Sequence, residues 1–155
     1  MECLKKLHKW ISIASDYGLL SKQEIIDMIP PLLLQPKSND IILEMCASPG
    51  NKTSQILESM NQTNNGMSNF IKGALVSNDV DYKRAWMITH QVKRKNTSGM
   101  LISNNAGQNF PDLVLNGRPG ELEAIGQYDK YYKFDKILVD APCSADGAIR
   151  KFPIK

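Results

Sequence analysis

The sequence predicts an α/β fold with a parallel sheet, because short apolar runs alternate with stretches of helical character along most of the chain. Four runs are typical of buried strands, at residues 41–45, 74–78, 100–103 and 136–140. Helix-like stretches at 52–60 and 82–93 follow the first and second of these runs. Strands that alternate with helices are characteristic of crossover units, in which the strands lie parallel.

The composition fits one globular domain. Of 155 residues, 42% are apolar and 23% are charged, which excludes a disordered or fibrous protein. The formal charge of +3 is only a mild bias towards polyanionic partners. No apolar run is long enough for a membrane span and no signal-peptide core is visible, so we expect an intracellular protein. The cysteines Cys3, Cys46 and Cys143 are odd in number and form no CxxC pair, so we expect neither a disulfide framework nor a bound metal.

A short helical segment is expected before the sheet, over residues 1–36. Its first helix is indicated by apolar residues at helical spacing: Leu4, Leu7, Ile11 and Ala14. Its second helix is expected to begin at a capping box formed by Ser21 and Glu24. In this motif the serine oxygen accepts from a backbone amide and the glutamate bonds back to the serine.

Pro30 and Pro31 are expected to end this second helix, because proline lacks an N–H and clashes with the preceding turn. The leucines at 32–34 would then form a buried connection. The polar stretch at 36–40 marks a boundary, so we expect the α/β part to occupy residues 37–155.

The residues directly after each apolar run are the candidate site, since ligands bind beyond the carboxyl ends of the strands in open α/β sheets. These residues are small, polar or acidic, and they fall at 46–53, 78–81, 104–106 and 140–144. We expect them to line one pocket. In the first group, Gly50 would let a ligand approach the backbone. Free amides at the start of the next helix would favour an anion such as a carboxylate.

Two of these turns allow more than one interpretation. The first resembles the end of a phosphate-binding loop, but Asn51 stands where that loop requires glycine before its lysine, which excludes it. A tight turn without a ligand remains open. Asp79 could accept hydrogen bonds from ribose hydroxyls or cap the following helix, a role that Asp81 could equally fill.

The turn after the fourth run places a cysteine behind a carboxylate and a proline. Asp140 ends the run, Pro142 restricts the turn, and the thiol of Cys143 would then face the same pocket. A lone cysteine is usually an inert, buried side chain. The polar and glycine-containing surroundings favour a functional thiol here.

Three motifs, in the same order along the chain, resemble those of a known family. They read LEMCASPGNKT at 43–53, NDVDYKR at 78–84 and DAPCSADGAIRK at 140–151. These are similar to D-M-C-A-A-P-G-S-K-T, N-D-x-D-x-x-R and D-V-P-C-S-G-D-G-T-x-R-K of the Sun-type RNA (cytosine-5)-methyltransferases. The upstream stretch 23–34 resembles the eukaryotic tRNA-modifying branch of that family.

The resemblance implies a class I, Rossmann-like methyltransferase fold that uses S-adenosylmethionine, without a metal. Asp79 would bind the cofactor's ribose, Asn105 would lie beside its adenine, and Asp140 would face the cofactor and the target base. Asn105 stands where the family has aspartate, a change that would alter the contact with adenine. The residues implied to hold the methionine portion are Cys46, Ala47, Ser48, Pro49, Gly50, Asn51 and Lys52.

Carbon 5 of cytosine is a poor nucleophile, and the family overcomes this with cysteine chemistry. A thiolate adds to carbon 6, carbon 5 attacks the methyl group, and loss of the proton and the thiol then needs acid–base assistance. The family's nucleophile lies in a Thr-Cys motif on a later strand, whereas the cysteine at the position of Cys143 assists product release. Residues 1–155 contain no Thr-Cys pair. We therefore expect a piece of a larger methyltransferase, whose C-terminal strands are absent.

The resemblance also implies RNA, preferably tRNA, as partner, and the nucleus in preference to the cytoplasm. A basic run without an acidic residue between Tyr82 and Pro111 is consistent with RNA, although a solvated helix face explains it equally well: Lys83, Arg84, Lys93, Arg94 and Lys95. Arg150, Lys151 and Lys155 add charge beside the Pro-Cys turn.

Parts of the sequence also fit two other functions. DNA cytosine methyltransferases use a Pro-Cys cysteine as nucleophile, but their F-x-G-x-G turn is missing here. A non-catalytic module that binds S-adenosylmethionine or RNA stays open.

Overall fold

A computed structural model describes residues 1–62, 71–95, 98–113 and 133–144. Within these ranges the helices are α1 Glu2–Asp16, α2 Ile25–Leu34, α3 Asn51–Gln62 and α4 Tyr82–Val92. The strands are β1 Ile41–Glu44, β2 Ala74–Asn78, β3 Met100–Ser103 and β4 Lys136–Leu138. Single 3₁₀ turns follow α4 at Lys93–Lys95 and β3 at Gly107–Asn109. The four predicted strands, the helices after the first two of them and the helical N-terminal segment are confirmed.

All four strands are parallel, in the order β3-β2-β1-β4, which confirms the predicted α/β class. Ile42 of β1 lies opposite Leu75 of β2 on one side and Lys136 of β4 on the other, and Leu75 lies opposite Met100 of β3. The chain therefore leaves β1 towards one edge and later returns to its other side. A reversal of this kind is the switch point at which open α/β sheets bind ligands.

The core lies between the sheet and α3. Apolar side chains of α3 pack on those of the central strands, and the buried cluster consists of Ile42, Ile56, Leu57, Met60, Ile71, Leu75 and Leu138. This packing fixes α3 over the sheet, so the turn between β1 and α3 opens at the carboxyl ends of the strands.

The capping box expected at Ser21 and Glu24 is wrong. Glu24 is itself the residue before α2, with extended backbone and no side-chain capping bond. Ser21 therefore lies too far from the first turn of the helix to reach its amides. Instead, Nε2 of Gln23 donates to Oε1 of Gln55 on α3 at 3.3 Å. This contact holds the segment before α2 against the α/β part and sets where the helix can begin.

The expected helix end at Pro30 and Pro31 is also wrong, because both prolines lie inside α2. They remove the N–H groups that would bond the carbonyls of Ile26 and Asp27. Ile26 is 70% exposed, so water can solvate these carbonyls. Pro31 is buried, and its burial helps to keep the segment helical.

The leucines after the prolines belong to the same helix. α2 continues to Leu34 and ends at Gln35, whose φ of 50° is left-handed. Leu34 packs against the core cluster, but Leu32 and Leu33 are exposed. The expected buried connection is therefore wrong for these two residues.

One buried side chain, Asn78, ties together the carboxyl ends of three strands. Asn78 is 0% exposed at the end of β2. Its Nδ2 donates to the backbone oxygens of Met45 at 3.0 Å and Asn105 at 2.8 Å. Its Oδ1 accepts from Oγ of Ser103 and from the amide of Asn105, both at 2.9 Å. All four hydrogen-bonding positions of this amide are used, so the ends of β1, β2 and β3 are held at a fixed spacing.

A buried carboxyl, Glu44, lies at the end of β1. Its Oε2 accepts from Oγ1 of Thr53 at 2.6 Å and from Oγ of Ser77 at 3.1 Å, which joins β1, α3 and β2. Burial raises the pKa of Glu44 to about 7, although the two hydroxyl groups and the charge of Lys52 act in the opposite direction.

Asn78→Asp should destabilise the protein, because it keeps the side-chain shape and removes both donors. The new carboxylate would face the carbonyl oxygens of Met45 and Asn105, and we expect a loss of roughly 2–4 kcal/mol in the free energy of unfolding. Chemical denaturation measures this loss. The control is Asn104→Asp, since Nδ2 of the exposed Asn104 also donates to two backbone carbonyls. Equal losses for the two variants would contradict the role given to Asn78.

The pKa of Glu44 makes stability depend on pH, since the folded state holds this proton more tightly than the unfolded chain. Its contribution to stability is greatest below pH 4.5 and falls as the pH rises towards 7, by up to about 3 kcal/mol. Glu44→Gln keeps an acceptor without charge. The free energy of unfolding of this variant, relative to the unmodified protein, should therefore rise across that window and then level off.

Denaturation at a series of pH values tests this expectation, with Glu58→Gln as the control because Glu58 lies exposed on α3. A difference between Glu44→Gln and the unmodified protein that stays constant from pH 4.5 to 7 would show that the carboxyl is not protonated on folding.

Candidate functional site

The carboxyl ends of the strands enclose a cleft of about 600 Å³, here called the main cleft. Its lining comes from the segments after all four strands, as expected from the sequence: Met45, Cys46, Ser48, Asp79, Val80, Arg84, Gly107, Gln108, Val139, Asp140, Ala141, Pro142 and Cys143. A side cleft of about 180 Å³ shares Cys46, Ser48 and Asp140 with it. The other residues of the side cleft are Asp27, Ala47, Pro49, Asn51 and Lys52.

The turn between β1 and α3 lines both clefts, except at Gly50. The φ of Gly50 is +101°, and a Cβ there would lie 3.3 Å from Cβ of Gln91 and from Cα of Ile88 on α4. The missing side chain therefore makes room for α4 and permits the positive φ, rather than clearing a path for a ligand. The backbone contact of Gly50 with a cofactor stays a prediction.

The two acids after β2 have separate roles. Asp81 caps α4, since its Oδ1 accepts from the amide of Arg84 at 3.0 Å. Asp79 is 3% exposed and lines the main cleft. Its carboxylate accepts from the amides of Ser48 at 3.2 Å and Asp81 at 3.1 Å, and Nε of Arg84 lies 3.6 Å from its Oδ2. The capping role is thus filled by Asp81, which leaves Asp79 oriented at the cleft wall.

Lys52 connects the clefts to the N-terminal segment. Its Nζ lies 2.8 Å from Oδ2 of Asp140 and 3.3 Å from Oδ1 of Asp27 on α2. Burial alone would lower the pKa of Lys52, but the two carboxylates outweigh burial, and the pKa is raised. The ammonium therefore stays charged beside Asp140. Sequence reasoning missed Asp27, because nothing in the apolar pattern of α2 distinguishes this acid from a solvated one.

The main cleft contains two thiols. Cys143 is exposed in the segment after β4, three residues beyond Asp140. Cys46 is half-buried, and burial together with the charges of Asp79 and Asp140 raises the pKa of its thiol. A raised pKa keeps this thiol protonated, so Cys46 is poorly suited to act as a nucleophile.

Asn105 is held by its backbone rather than by a contact with the cleft. Its amide and carbonyl both bond to the side chain of Asn78, and Gly107 and Gln108 of the same loop line the main cleft instead. Asn78 belongs to the candidate group 78–81, but its role in holding the strand ends together was not predicted. The contact of Asn105 with adenine stays a prediction.

The predicted basic run is partly displayed on the surface. Lys83, Arg84 and Lys93 are exposed, whereas Lys95 pairs with Glu58 of α3. The side chain of Arg94 and residues 145–155, with Arg150, Lys151 and Lys155, lie outside the described residues.

Two further observations concern the described ranges alone. They contain no group of three or more His, Cys, Asp or Glu side chains arranged to hold a metal ion. Among the helices in them, none is both long and apolar enough to cross a bilayer.

Comparison with known proteins places these features in a family. A family model described as 16S rRNA methyltransferase RsmB/F matches residues 31–154. The chain is 40% identical over 152 residues to a tRNA (cytosine(34)-C(5))-methyltransferase of Drosophila melanogaster, covering 98% of this chain and 19% of the relative. It is 36% identical over 150 residues to a multisite-specific tRNA:(cytosine-C(5))-methyltransferase of Saccharomyces cerevisiae, covering 97% and 20%. The chain thus spans about one fifth of the length of these relatives.

The fold agrees with a solved structure of a methyltransferase homolog from Pyrococcus horikoshii. The TM-score is 0.61 at 30% identity, over 86% of this chain and 35% of the other. This likeness confirms the class I, Rossmann-like methyltransferase fold. Since the family match extends over most of the chain and includes every segment that lines the main cleft, the chain belongs to the RsmB/F family of 16S rRNA methyltransferases, which confirms the resemblance read from its three motifs.

Proposed function

We propose that the complete protein transfers a methyl group from S-adenosylmethionine to carbon 5 of a cytosine in tRNA. The observation that carries this proposal is the convergence of a buried acid, a paired cation and an exposed thiol at two adjoining clefts. Asp79 and Cys143 line the main cleft, and Lys52 of the side cleft pairs with Asp140, which lines both. The relatives at 40% and 36% identity, named for cytosine C5 in tRNA, support the choice of base and substrate. Because the chain spans about one fifth of these relatives, the activity is assigned to the complete protein.

The groups lining the clefts fit this cofactor. Asp79 offers a buried carboxylate at the end of β2, where ribose hydroxyls bind in folds of this kind. Asn51 and Lys52 begin α3 at the side cleft, and the amides of a helix N-terminus suit the carboxylate of a methionine. The charge of Lys52 is already paired with Asp27 and Asp140. Val80 adds an apolar wall for a base. When bound, the cofactor supplies an electrophilic methyl group.

The remaining groups of the main cleft suit a cytosine. A carboxylate accepts from the exocyclic amine of this base, and Asp140 provides one at the cleft wall. Lys52 holds that carboxylate and offers a donor beside it. The exposed thiol of Cys143 can assist removal of the carbon 5 proton and release of the product.

The nucleophile in this proposal is a cysteine outside residues 1–155. The raised pKa of Cys46 supports this assignment, because a protonated thiol cannot add to carbon 6. The alternative is a module that binds S-adenosylmethionine or RNA without catalysis. Methyl transfer from labelled cofactor to tRNA by the complete protein decides between them.

Two further assignments belong to the proposal. We place the reaction inside the cell, in the nucleus in preference to the cytoplasm. We also divide the chain into a helical segment at 1–36 and the first part of the methyltransferase domain at 37–155. The Gln23–Gln55 and Asp27–Lys52 contacts support close packing of the segment on the domain.

Asp79→Asn should weaken cofactor binding, because an amide replaces one carboxylate acceptor by a donor. Chemical denaturation must show that the variant still folds, since both oxygens of Asp79 accept from backbone amides. We expect roughly a 5- to 150-fold rise in the dissociation constant for S-adenosylmethionine, measured by calorimetry. The matched control is Asp81→Asn, which alters the acid that caps α4. If both variants bind as tightly as the unmodified protein, Asp79 does not hold the ribose.

Cys143→Ala should trap the reaction after the covalent step, since product release would lose its assisting thiol. Denaturing electrophoresis of the complete protein with labelled tRNA and cofactor should show a protein–RNA adduct, while turnover falls. The control is Cys3→Ala, in the exposed N-terminal helix. Loss of turnover without an adduct would instead make Cys143 the nucleophile, as in the DNA cytosine methyltransferases.

A further inference from the structure

Helix α4 exposes a row of aromatic rings. Tyr82, Trp86 and His90 follow one another at four-residue spacing, which places them on one face of the helix, and they are called the α4 ridge below. Tyr82 is 71% and Trp86 56% exposed, and the rings of Trp86 and His90 meet edge to face at 5.9 Å. The ridge extends over about 12 Å at 1.5 Å per residue.

The opposite face of α4 is the one that is buried in the protein. Ala85 and Ile88 are buried there, and Ile88 approaches Gly50 at the start of α3. The aromatic rings of the ridge are therefore not required for packing of the described structure. Large aromatic rings such as those of Tyr82 and Trp86 are not required on a helix face that contacts only water.

The charged side chains of helix α4 itself are all basic. Helix α4 contains no acidic residue and none follows it as far as Pro111, although the exposed Asp81 caps the helix beside Tyr82. Lys83 and Lys93 are exposed, one beside each end of the ridge. Arg84 lies on the side that faces the main cleft. The surface around the ridge thus offers cations to a partner and complements a polyanion.

We propose that the α4 ridge binds a single-stranded segment of the substrate RNA by base stacking. This inference rests on the proposed function, which makes RNA the substrate. Proteins that hold single strands combine aromatic side chains, on which bases stack, with basic side chains along the phosphates. The ridge has both, and it begins two residues after Val80, which lines the main cleft.

Trp86→Ala in the full-length protein tests the stacking. We expect the dissociation constant for tRNA to rise roughly five- to a hundred-fold, while affinity for S-adenosylmethionine is unchanged. The matched control is Trp10→Ala, because Trp10 is 60% exposed on α1, away from the ridge. Trp86→Phe should restore most of the affinity, since phenylalanine also stacks.

Salt dependence and fluorescence give independent readouts. Lys83→Gln with Lys93→Gln should reduce the slope of log affinity against log salt by about two. Titration with a single-stranded oligonucleotide should quench tryptophan emission less in Trp86→Ala than in Trp10→Ala.

Unchanged tRNA affinity in Trp86→Ala, with methylation intact, would overturn the inference and leave the proposed function standing. The surface would then be a contact for another part of the protein. Failure of the unmodified protein to bind any RNA would overturn both.

Discussion

The amide of Asn78, at the end of β2, uses every donor and acceptor position on groups at the ends of β1 and β3, and the geometry of the cleft depends on this one side chain. Backbone groups beyond the end of a strand lack ladder partners, and leaving them buried without a partner is costly. Asn78 satisfies those of Met45 and Asn105 while fixing their separation. Asp79 directly follows Asn78 in the sequence. The hydrogen bonds of Asn78 therefore also determine where the buried carboxylate of Asp79 lies in the cleft.

Lys52 links the strand ends of the sheet to the N-terminal segment through two ion pairs. One ammonium contacts Asp140 after β4 and Asp27 on α2, so three elements distant in sequence meet at one charge. Two carboxylates around a single cation leave an excess of negative charge at the side cleft. Since Asp140 is the more exposed of the two acids, an incoming group can reach it while Asp27 retains its hold on Lys52. The helical segment is thereby part of the site as well as a neighbour of the domain.

The sheet could be predicted because its information is local. Each strand is a short apolar run, and the polar residue that ends it marks the edge of the ligand site, as with Asp79 and Asp140. The course of α2 could not be predicted, because packing of Pro31 and Leu34 on the domain overrides the local effect of proline. The close approach of α4 to Gly50 could not be predicted either, because the two segments meet only in the folded chain.

The two thiols in the main cleft differ in burial, and this difference suits them to different roles. Cys46 lies where burial and the charges of Asp79 and Asp140 raise the pKa of its thiol, which disfavours the thiolate that addition to carbon 6 requires. These two acids are the ones proposed to hold the ribose of the cofactor and the amine of the base. Carboxylates placed for that purpose would disfavour a thiolate among them. The proposed mechanism therefore takes its attacking thiolate from a cysteine other than Cys46 and assigns Cys143, at the exposed end of the cleft, to release of the product.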